Sequence, residues 1–260
     1  MNIWLSEENI DRYARQIILK NIGPTGQKKI LNSKVFIIGG GGLGSPVSDS
    51  LSRAGVGKIG IADYDRVNLS NIHRQSMFSS EDIGKYKVDV IKKKIKLINP
   101  KIKVKTYKKK INNKNISKIL KDYQIIVDGS DNFETKFLLN EFCIRHKKFL
   151  IVGAISKFDG HLFVFNFNNT KFPCLKCFYQ NMPPDETLNC ETNGVIGPVA
   201  GIIGNLQSNE VLKNILNIKS NLNSHILIIN LIDLNFRKVK FFKKRNCICW
   251  DYKYFFLFFI

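Results

Sequence analysis

The chain is 260 residues long, which allows one large α/β domain or two small ones, and its 44% hydrophobic and 24% charged residues are typical of a globular protein. This composition excludes an intrinsically disordered chain. A formal net charge of +20 would suit nucleic acid or an anionic membrane. Because the lysines are spread over nearly the whole chain and no aromatic-interleaved basic motif is visible, we expect neither partner. An acidic protein or a nucleotide fits the charge equally well.

We expect neither a secretory signal nor a membrane helix at the two ends of this sequence. Residues 1–9 include two glutamates and lack the apolar core of a secretory leader. The apolar run 254–260 is far shorter than the ~20 residues of a membrane helix, so we expect it to pack against the protein body or a dimer surface. A cytoplasmic protein is therefore predicted, with its six cysteines serving as thiols or metal ligands rather than disulfides. Cys143, inside an apolar helical pattern, is expected in the core.

Strands and helices alternate along the first 153 residues. Short apolar runs without helical period predict the strands, and amphipathic or apolar runs between turn signals predict the helices. In chain order the predicted elements are helix 6–19, a second helix ending near 31, strand 34–38, helix 43–54, strand 58–62, strand 102–106, helix 117–120, strand 124–127, helix 132–146, strand 149–152, strand 162–167, helix 198–216, strand 226–230 and strand 239–242.

This order predicts an α/β fold. Strands joined by helical crossovers pair in parallel, whereas the strands after Gly160 have an antiparallel pattern. We therefore expect a Rossmann-like, doubly wound, mostly parallel sheet with an antiparallel C-terminal extension. A single domain, 1–260, is predicted because no linker or repeat is visible. Its parts are N-terminal helices (1–33), a nucleotide-binding core (34–153), a C-terminal part (154–250) and an apolar tail (251–260).

A glycine cluster lies between the first predicted strand and the helix that follows it. Residues 39–44 match G-x-G-x-x-G, which lets backbone N–H groups and a helix N-terminus approach phosphates closely. Asp63 follows the next strand, where an acidic side chain can accept hydrogen bonds from a ribose. Together these features predict an adenine nucleotide, although NAD or FAD remains open at this point.

Three segments after the glycine loop narrow the chemistry: NLSNIHRQ at 68–75, GKYK at 84–87 and DGSDN at 128–132. A redox enzyme has no particular need for this set. An enzyme that transfers a nucleotidyl group needs cations on the phosphates and a carboxylate for magnesium, because its transition state is mostly charge to be neutralised. The set therefore favours nucleotidyl transfer over hydride chemistry.

Together with RYARQ at 12–16, CLKC at 174–177 and CETNGVIGP at 190–198, these segments resemble the ThiF/MoeB/HesA family of sulfur-carrier-protein adenylyltransferases, relatives of the ubiquitin-activating enzymes. The resemblance extends to about Trp250. It implies a homodimeric nucleotidyltransferase that uses ATP to adenylate the C-terminal Gly-Gly carboxylate of a small ubiquitin-like, ThiS- or MoaD-like sulfur carrier. Thiamine and molybdopterin biosynthesis are both open, and the part 154–250 would bind the carrier.

The resemblance also implies roles for individual residues. It assigns nucleotide binding to Gly39, Gly41, Gly42, Gly44, Asp63, Asp65, Asn68, Asn71, Arg74, Lys87, Asp131 and Asn132, and catalysis to Arg15, Arg74, Lys87, Asp131 and Cys190. Asp131 would hold magnesium, and Arg15 would reach into the partner subunit's site. The alternatives are solvated surface positions for Arg74 and Lys87, and helix or turn caps for Asp63 and Asp131.

Four cysteines form two pairs that lie far apart in the chain. Cys174 and Cys177 make a C-x-x-C, Cys247 and Cys249 make a C-x-C, and four thiolates complete a tetrahedral structural zinc site. The family has C-x-x-C in both halves, so the shorter second pair leaves reduced, partly buried thiols as the alternative. Cys190 matches a family position that can bond covalently to the carrier, and a passive loop cysteine is its alternative.

Two other functions remain open. The glycine loop alone would serve an NAD-dependent oxidoreductase, and a tRNA-modifying adenylating enzyme would share the loop and the charge. The chain stops about ten residues after Trp250 without a rhodanese module, so we expect sulfur to come from a separate donor protein.

Overall fold

The structure is a computed structural model that describes residues 5–179, 183, 194–245 and 247–249. Its helices are α1 (Glu7–Ile17), α2 (Gly23–Asn32), α3 (Gly44–Ala54), α4 (Lys87–Ile98), α5 (Ile116–Leu120), α6 (Phe133–Arg145), α7 (Leu175–Phe178) and α8 (Gly197–Ile215). Its strands are β1 (Lys34–Ile38), β2 (Lys58–Ala62), β3 (Lys103–Tyr107), β4 (Ile125–Asp128), β5 (Phe149–Ser156), β6 (Asp159–Asn166), β7 (His225–Asn230) and β8 (Asn235–Lys240). Single 3-10 turns lie at Leu69–Asn71 and Ser80–Asp82.

One eight-stranded sheet connects the described residues, in the order β3-β2-β1-β4-β5-β6-β7-β8. The pairs from β3 to β5 are parallel, and the pairs from β5 to β8 are antiparallel. The predicted α/β class with an antiparallel extension is confirmed. The strand order reverses between β1 and β4, which is where doubly wound sheets bind ligands. Strand β5 runs through residues 153 and 154, so the predicted core and C-terminal part share this sheet.

The sheet separates two apolar cores because successive side chains of a strand point to opposite faces. On β1, Val35 and Ile37 belong to the core that α3, α4 and α8 cover. Phe36 and Ile38 belong to the core that α5, α6 and α7 cover. Because β1 and β4 are fully or almost fully covered on both faces, they are the continuous apolar runs that sequence patterning detects most easily.

Helix α4 was not predicted from the sequence. Its buried residues Val88, Val90, Ile91 and Ile95 alternate with lysines, and the run 92–94 looked like general lysine enrichment rather than the outer face of a helix. The last strand was predicted at 239–242 and is observed at Asn235–Lys240. All six residues of β8 are exposed, so burial does not mark its beginning in the sequence. Within the described residues, no helix is long and apolar enough to cross a membrane.

Candidate nucleotide-binding cleft and cysteine cluster

A cleft opens at the carboxyl ends of β1, β2, β4 and β5, beside the point where the strand order reverses. Its lining contains Ile38, Gly39, Gly41, Gly42, Leu43, Ala62, Asp63, Tyr64, Asp65, Asn71, Arg74, Gln75, Lys87, Lys109, Lys110, Ile111, Gly129, Ser130, Asp131, Asn132, Thr135, Ala154 and Ile155. Most of the predicted nucleotide-binding residues therefore meet in one place, although they come from five segments of the chain.

The glycine loop passes between β1 and α3 under tight backbone contacts. Gly39 has a φ of +83°, and a Cβ atom there would lie 2.7 Å from the Gly129 carbonyl oxygen. A Cβ atom on Gly44 would overlap the Gly39 carbonyl oxygen. Gly44 is the first residue of α3 and lies outside the cleft lining, so it packs the loop, while Gly41 and Gly42 line the cleft. The N-terminus of α3 thus offers its free N–H groups beside the cleft.

Asp63 anchors the glycine loop. The residue is 8% exposed, and its carboxylate accepts hydrogen bonds from the Gly40 N–H at 2.7 Å and the Asp65 N–H at 2.8 Å. Burial raises the pKa of Asp63, and the nearby ammonium of Lys87 acts in the opposite direction. Each carboxylate oxygen keeps a second lone pair, so the side chain can still accept a hydrogen bond from a ligand in the cleft.

Cations face the cleft from two sides. The Lys87 ammonium, at the start of α4, lies 3.0 Å from an oxygen of Asp65, and its side chain is only 8% exposed. The Arg74 guanidinium is held by the Ser70 carbonyl oxygen at 2.7 Å. Lys109 and Lys110 also line the cleft. Sequence reasoning missed both lysines because the run 108–110 resembled the general enrichment, and their only signal was a position just after a strand.

Two asparagines in the 68–75 segment have different positions. Asn71 is 5% exposed, lines the cleft, and accepts the Asn68 N–H through Oδ1 at 3.2 Å. Asn68 is exposed, caps the 3-10 turn and lies outside the cleft lining. The binding role predicted for Asn68 has no contact in the cleft to support it, whereas Gln75, to which no role was assigned, does line the cleft.

The DGSDN segment carries two aspartates in contrasting environments. Asp128 is fully buried; one oxygen accepts from the N–H and hydroxyl of Ser130, and the other lies 3.0 Å from the Lys136 ammonium. Asp131 is exposed and accepts one side-chain hydrogen bond, from Asn132 at 3.3 Å. Asn132 also caps α6 by accepting the Thr135 N–H. Asp131 is therefore the carboxylate of this segment that a hard cation in the cleft can reach.

The four cysteines predicted to bind zinc form one cluster. Their sulfur atoms all lie within 4.8 Å of one another, with 3.4 Å between Cys174 and Cys247 and 3.4 Å between Cys177 and Cys249. Zinc–thiolate bonds of about 2.3 Å in a tetrahedron place the sulfurs about 3.8 Å apart. The C-x-C pair thus reaches the cluster despite its shorter spacing. The Lys244 N–H, 3.5 Å from the Cys177 sulfur, supplies a donor that suits a thiolate.

Arg15 and Cys143 are described and are not among the residues that line the cleft. Arg15 is exposed on α1. Cys190 falls outside the described residues, so its role stays a prediction. Cys143 is fully buried in α6, and burial raises the pKa of its thiol, as expected for a core cysteine.

A glycine loop at the strand-order reversal, an acidic residue after β2 and cations around the cleft define a nucleotide-binding α/β protein with a separate four-cysteine cluster. The ThiF family model matches residues 13–251. The chain belongs to the ThiF family.

Relatives with this sequence pattern are named adenylyltransferases. The chain is 37% identical to the "Sulfur carrier protein adenylyltransferase" of Thermus thermophilus over 95% of its own length and 93% of the relative. It is 40% identical to the "Adenylyltransferase and sulfurtransferase MOCS3" of Aedes aegypti over 95% of its own length and 57% of the relative. It is 37% identical to the "Probable molybdopterin-synthase adenylyltransferase" of Gracilaria tenuistipitata var. liui, over 94% and 68%.

Solved structures share the fold at lower sequence identity. A crystal structure of E. coli MccB with MccA-N7isoASN has a TM-score of 0.82 and 24% identity, over 96% of this chain and 76% of that one. A crystal structure of PaaA has a TM-score of 0.78 and 24% identity, over 94% and 77%. At this level of identity the two structures show the fold alone.

Proposed function

We propose that this protein uses ATP to adenylate the C-terminal Gly-Gly carboxylate of a small ubiquitin-like sulfur-carrier protein. A carboxylate oxygen attacks the α-phosphorus, the bond from that phosphorus to the pyrophosphate oxygen breaks, and an acyl-adenylate and pyrophosphate result. The observation that carries the proposal is the cleft, where a glycine loop, cations and an exposed aspartate face one another. The Thermus relative's name, over 93% of its length, supports the same reaction.

The cleft divides the work of binding and neutralising ATP between its two sides. Gly41 and Gly42 present backbone beside the N-terminus of α3, and Asp63 accepts a ribose hydroxyl. Arg74 and Lys87 neutralise the charge that develops on the phosphates when pyrophosphate leaves. Asp65 keeps the Lys87 ammonium directed at the cleft through their 3.0 Å ion pair. Each of these contacts stabilises charge without a covalent intermediate on the protein.

Two metal ions complete the proposal. Asp131 would hold magnesium beside the phosphates, because it is the exposed carboxylate of the 128–132 segment at the cleft. The ion would supply further charge neutralisation there. Zinc would be held by Cys174, Cys177, Cys247 and Cys249, where it joins α7 to the C-terminal segment as a structural ion. The cysteine cluster is built from residues outside the cleft lining, so zinc takes no part in the adenylation step.

Exchange of labelled pyrophosphate into ATP tests the proposal. The protein should catalyse exchange only when a carrier ending in Gly-Gly is present, and ThiS-like and MoaD-like carriers assayed side by side should separate the thiamine from the molybdopterin pathway. A carrier lacking its last glycine is the matched control. A nicotinamide-dependent change in absorbance at 340 nm without exchange would instead support the oxidoreductase, and tRNA-dependent exchange would support the tRNA-modifying alternative.

A further inference from the structure

A buried lysine lies directly beneath the edge of the cleft that carries Asp131. Lys136, at the end of the first turn of α6, is 1% exposed. Its ammonium donates to three acceptors: a carboxylate oxygen of Asp128 at 3.0 Å, the Ser130 carbonyl oxygen at 2.7 Å and the Gly153 carbonyl oxygen at 2.8 Å. All three ammonium hydrogens thus have partners. One side chain therefore joins α6, the turn after β4 and strand β5.

Asp128 completes this network from the other side. Its second oxygen accepts the Ser130 N–H at 2.9 Å and the Ser130 hydroxyl at 2.6 Å. The Gln207 side-chain N–H on α8 donates to the Asp128 carbonyl oxygen at 2.8 Å. Ser130 is consequently held by its N–H, its hydroxyl and its carbonyl, and it is the residue immediately before Asp131.

We propose that the buried Lys136–Asp128 pair is a positioning device that fixes the turn at Ser130, so that the Asp131 carboxylate faces the cleft in one orientation. The inference rests on the proposed function for the identity of the cation that Asp131 binds. The pair has a second consequence. Lys136 neutralises the charge of Asp128, and both carboxylate oxygens of Asp128 accept from protein donors. Asp128 therefore does not compete with Asp131 for a cation in the cleft.

Lys148 is another buried lysine, and its contacts are structural and lie away from the cleft. Lys148, just before β5, is 3% exposed and donates to the carbonyl oxygens of Lys121 and Tyr123. It lies at the amino end of β5. The residues of β5 that line the cleft, Ala154 and Ile155, lie near the other end of the strand. Lys148 is thus a matched control: a buried ammonium that bonds backbone carbonyls at the sheet edge opposite the cleft.

The test measures cation binding without requiring catalysis. Mn²⁺ binding in the presence of a non-hydrolysable ATP analogue is followed by electron paramagnetic resonance for wild type, Lys136→Met, Lys136→Arg, Ser130→Ala and Lys148→Met, with Asp131→Ala as the reference for loss. Residues that orient a metal ligand typically contribute about 10- to 100-fold to metal affinity, so Lys136→Met should weaken Mn²⁺ binding by about that factor. Lys136→Arg should restore most of it, since a cation remains near the same acceptors.

Thermal unfolding of each variant separates positioning from stability. Lys148→Met should lower the Tm but leave Mn²⁺ affinity at the wild-type value. Equal losses of affinity in Lys136→Met and Lys148→Met, or an unchanged affinity in Lys136→Met, would overturn the proposal. If Lys136→Met does not fold, Ser130→Ala decides, because it removes only the hydroxyl bond to Asp128: weaker Mn²⁺ binding at an unchanged Tm supports positioning, and unchanged binding rejects it.

The proposed function can fail independently of this inference. A wild-type protein that binds Mn²⁺ with the ATP analogue but never exchanges pyrophosphate with any Gly-Gly carrier would contradict the adenylation reaction. The ranking of the Lys136 and Lys148 variants in Mn²⁺ affinity would still support or reject the positioning device.

Discussion

Two aspartates three positions apart, Asp128 and Asp131, have opposite environments, and this contrast determines what each can do. The first is enclosed by donors, and the second is exposed in the cleft. Asp131→Ala should therefore abolish carrier-dependent pyrophosphate exchange, since it removes a magnesium ligand and with it charge stabilisation of the transition state. The fold should be intact, because Asp131 accepts only the Asn132 side-chain bond among the described residues. Exchange and circular dichroism spectra measure the two effects.

Asp233 provides the control for this substitution. It is exposed in the turn between β7 and β8, away from the cleft, so Asp233→Ala should exchange pyrophosphate at the wild-type rate. Exchange by Asp131→Ala at the rate of Asp233→Ala would remove Asp131 from the mechanism.

The sequence identified the residues of the cleft better than it predicted which side chains around the cleft are buried. The position of Asp63 after a predicted strand indicated its role, and the resemblance to the ThiF/MoeB/HesA family implied roles for Arg74, Lys87 and Asp131. All four residues line the cleft. The sequence could not show that Lys136 is buried beneath the cleft, because a lysine in a chain with 41 Lys and Arg residues carries no sequence signal of burial. Burial depends on packing between elements far apart in the chain.

At the scale of elements, a 3-10 turn links the cleft to α4. Asp82 ends this turn, accepts the Ser79 N–H at 3.0 Å and hydroxyl at 2.9 Å, and pairs with Lys85 and Lys94 at 3.3 Å each. Burial opposes ionisation of Asp82, but these hydrogen bonds and ion pairs outweigh it and lower its pKa from 3.8 to about 2. A pKa below the unfolded value stabilises the fold above pH 3.8, and this contribution is lost as the pH falls towards 2.

Asp82→Asn should therefore reduce the free energy of unfolding at pH 7 by about 1 kcal/mol, a value discounted because the lysine partners are partly solvated. The difference from wild type should shrink below pH 3.8 and be mostly lost at pH 2. Urea unfolding at several pH values measures it. Glu81→Gln, an exposed neighbour in the same turn, should show no such difference at any pH. A destabilisation by Asp82→Asn that is as large at pH 2 as at pH 7 would assign the effect to packing instead.

The cysteine cluster joins α7 to the C-terminal segment at 247–249, and the rings of Phe178 and Phe241, 5.4 Å apart, pack beside it. Purified protein should contain about one zinc per chain, and chelation should lower its Tm because a structural site contributes directly to folding. Replacing Cys247 and Cys249 together with Ser should remove the metal and lower the Tm similarly. Cys143→Ala should keep the zinc, since Cys143 lies outside the cluster. Unchanged metal content in the double Ser variant would contradict a four-thiolate site.

Helices and strands were predicted best where a continuous apolar run is buried. Strands β1 and β2 lie at the predicted residues because each is a short apolar run buried over four of its five positions. Helix α4 and strand β8 were missed or misplaced for the opposite reason: lysines cover one face of the helix, and water reaches both faces of the strand. The contact between the two cysteine pairs joins residues about 70 positions apart, and the sequence suggested it only through the cysteine spacing.

At the scale of the whole molecule, α1 suggests a second subunit. The other polar side chains of the 12–16 segment have partners in their own chain. Arg12 donates to the Ile98 carbonyl oxygen, and the Tyr13 hydroxyl accepts from Asn99. Gln16 donates to Gln27. Arg15 is exposed and has no polar partner among the residues that the structure describes. An exposed arginine on an otherwise anchored helix is suited to an acceptor in another molecule.

The resemblance of the 12–16 segment to the ThiF/MoeB/HesA family implies a trans-acting arginine, and on that basis we predict a two-fold homodimer in which Arg15 of one subunit supplies positive charge to the ATP bound by the other. Each site of such a dimer takes Arg15 from one chain and Asp131 from its partner. Arg15→Ala and Asp131→Ala should each be nearly inactive in pyrophosphate exchange. When the two variants are refolded together in equal amounts, half of the dimers are mixed, and each mixed dimer has one intact site and one site with both lesions. Activity should then recover to about a quarter of wild type. If Arg15 instead serves the site of its own chain, every site in the mixture carries a lesion and no activity returns. Arg15→Lys, which keeps the charge, should be active in pyrophosphate exchange without a partner variant.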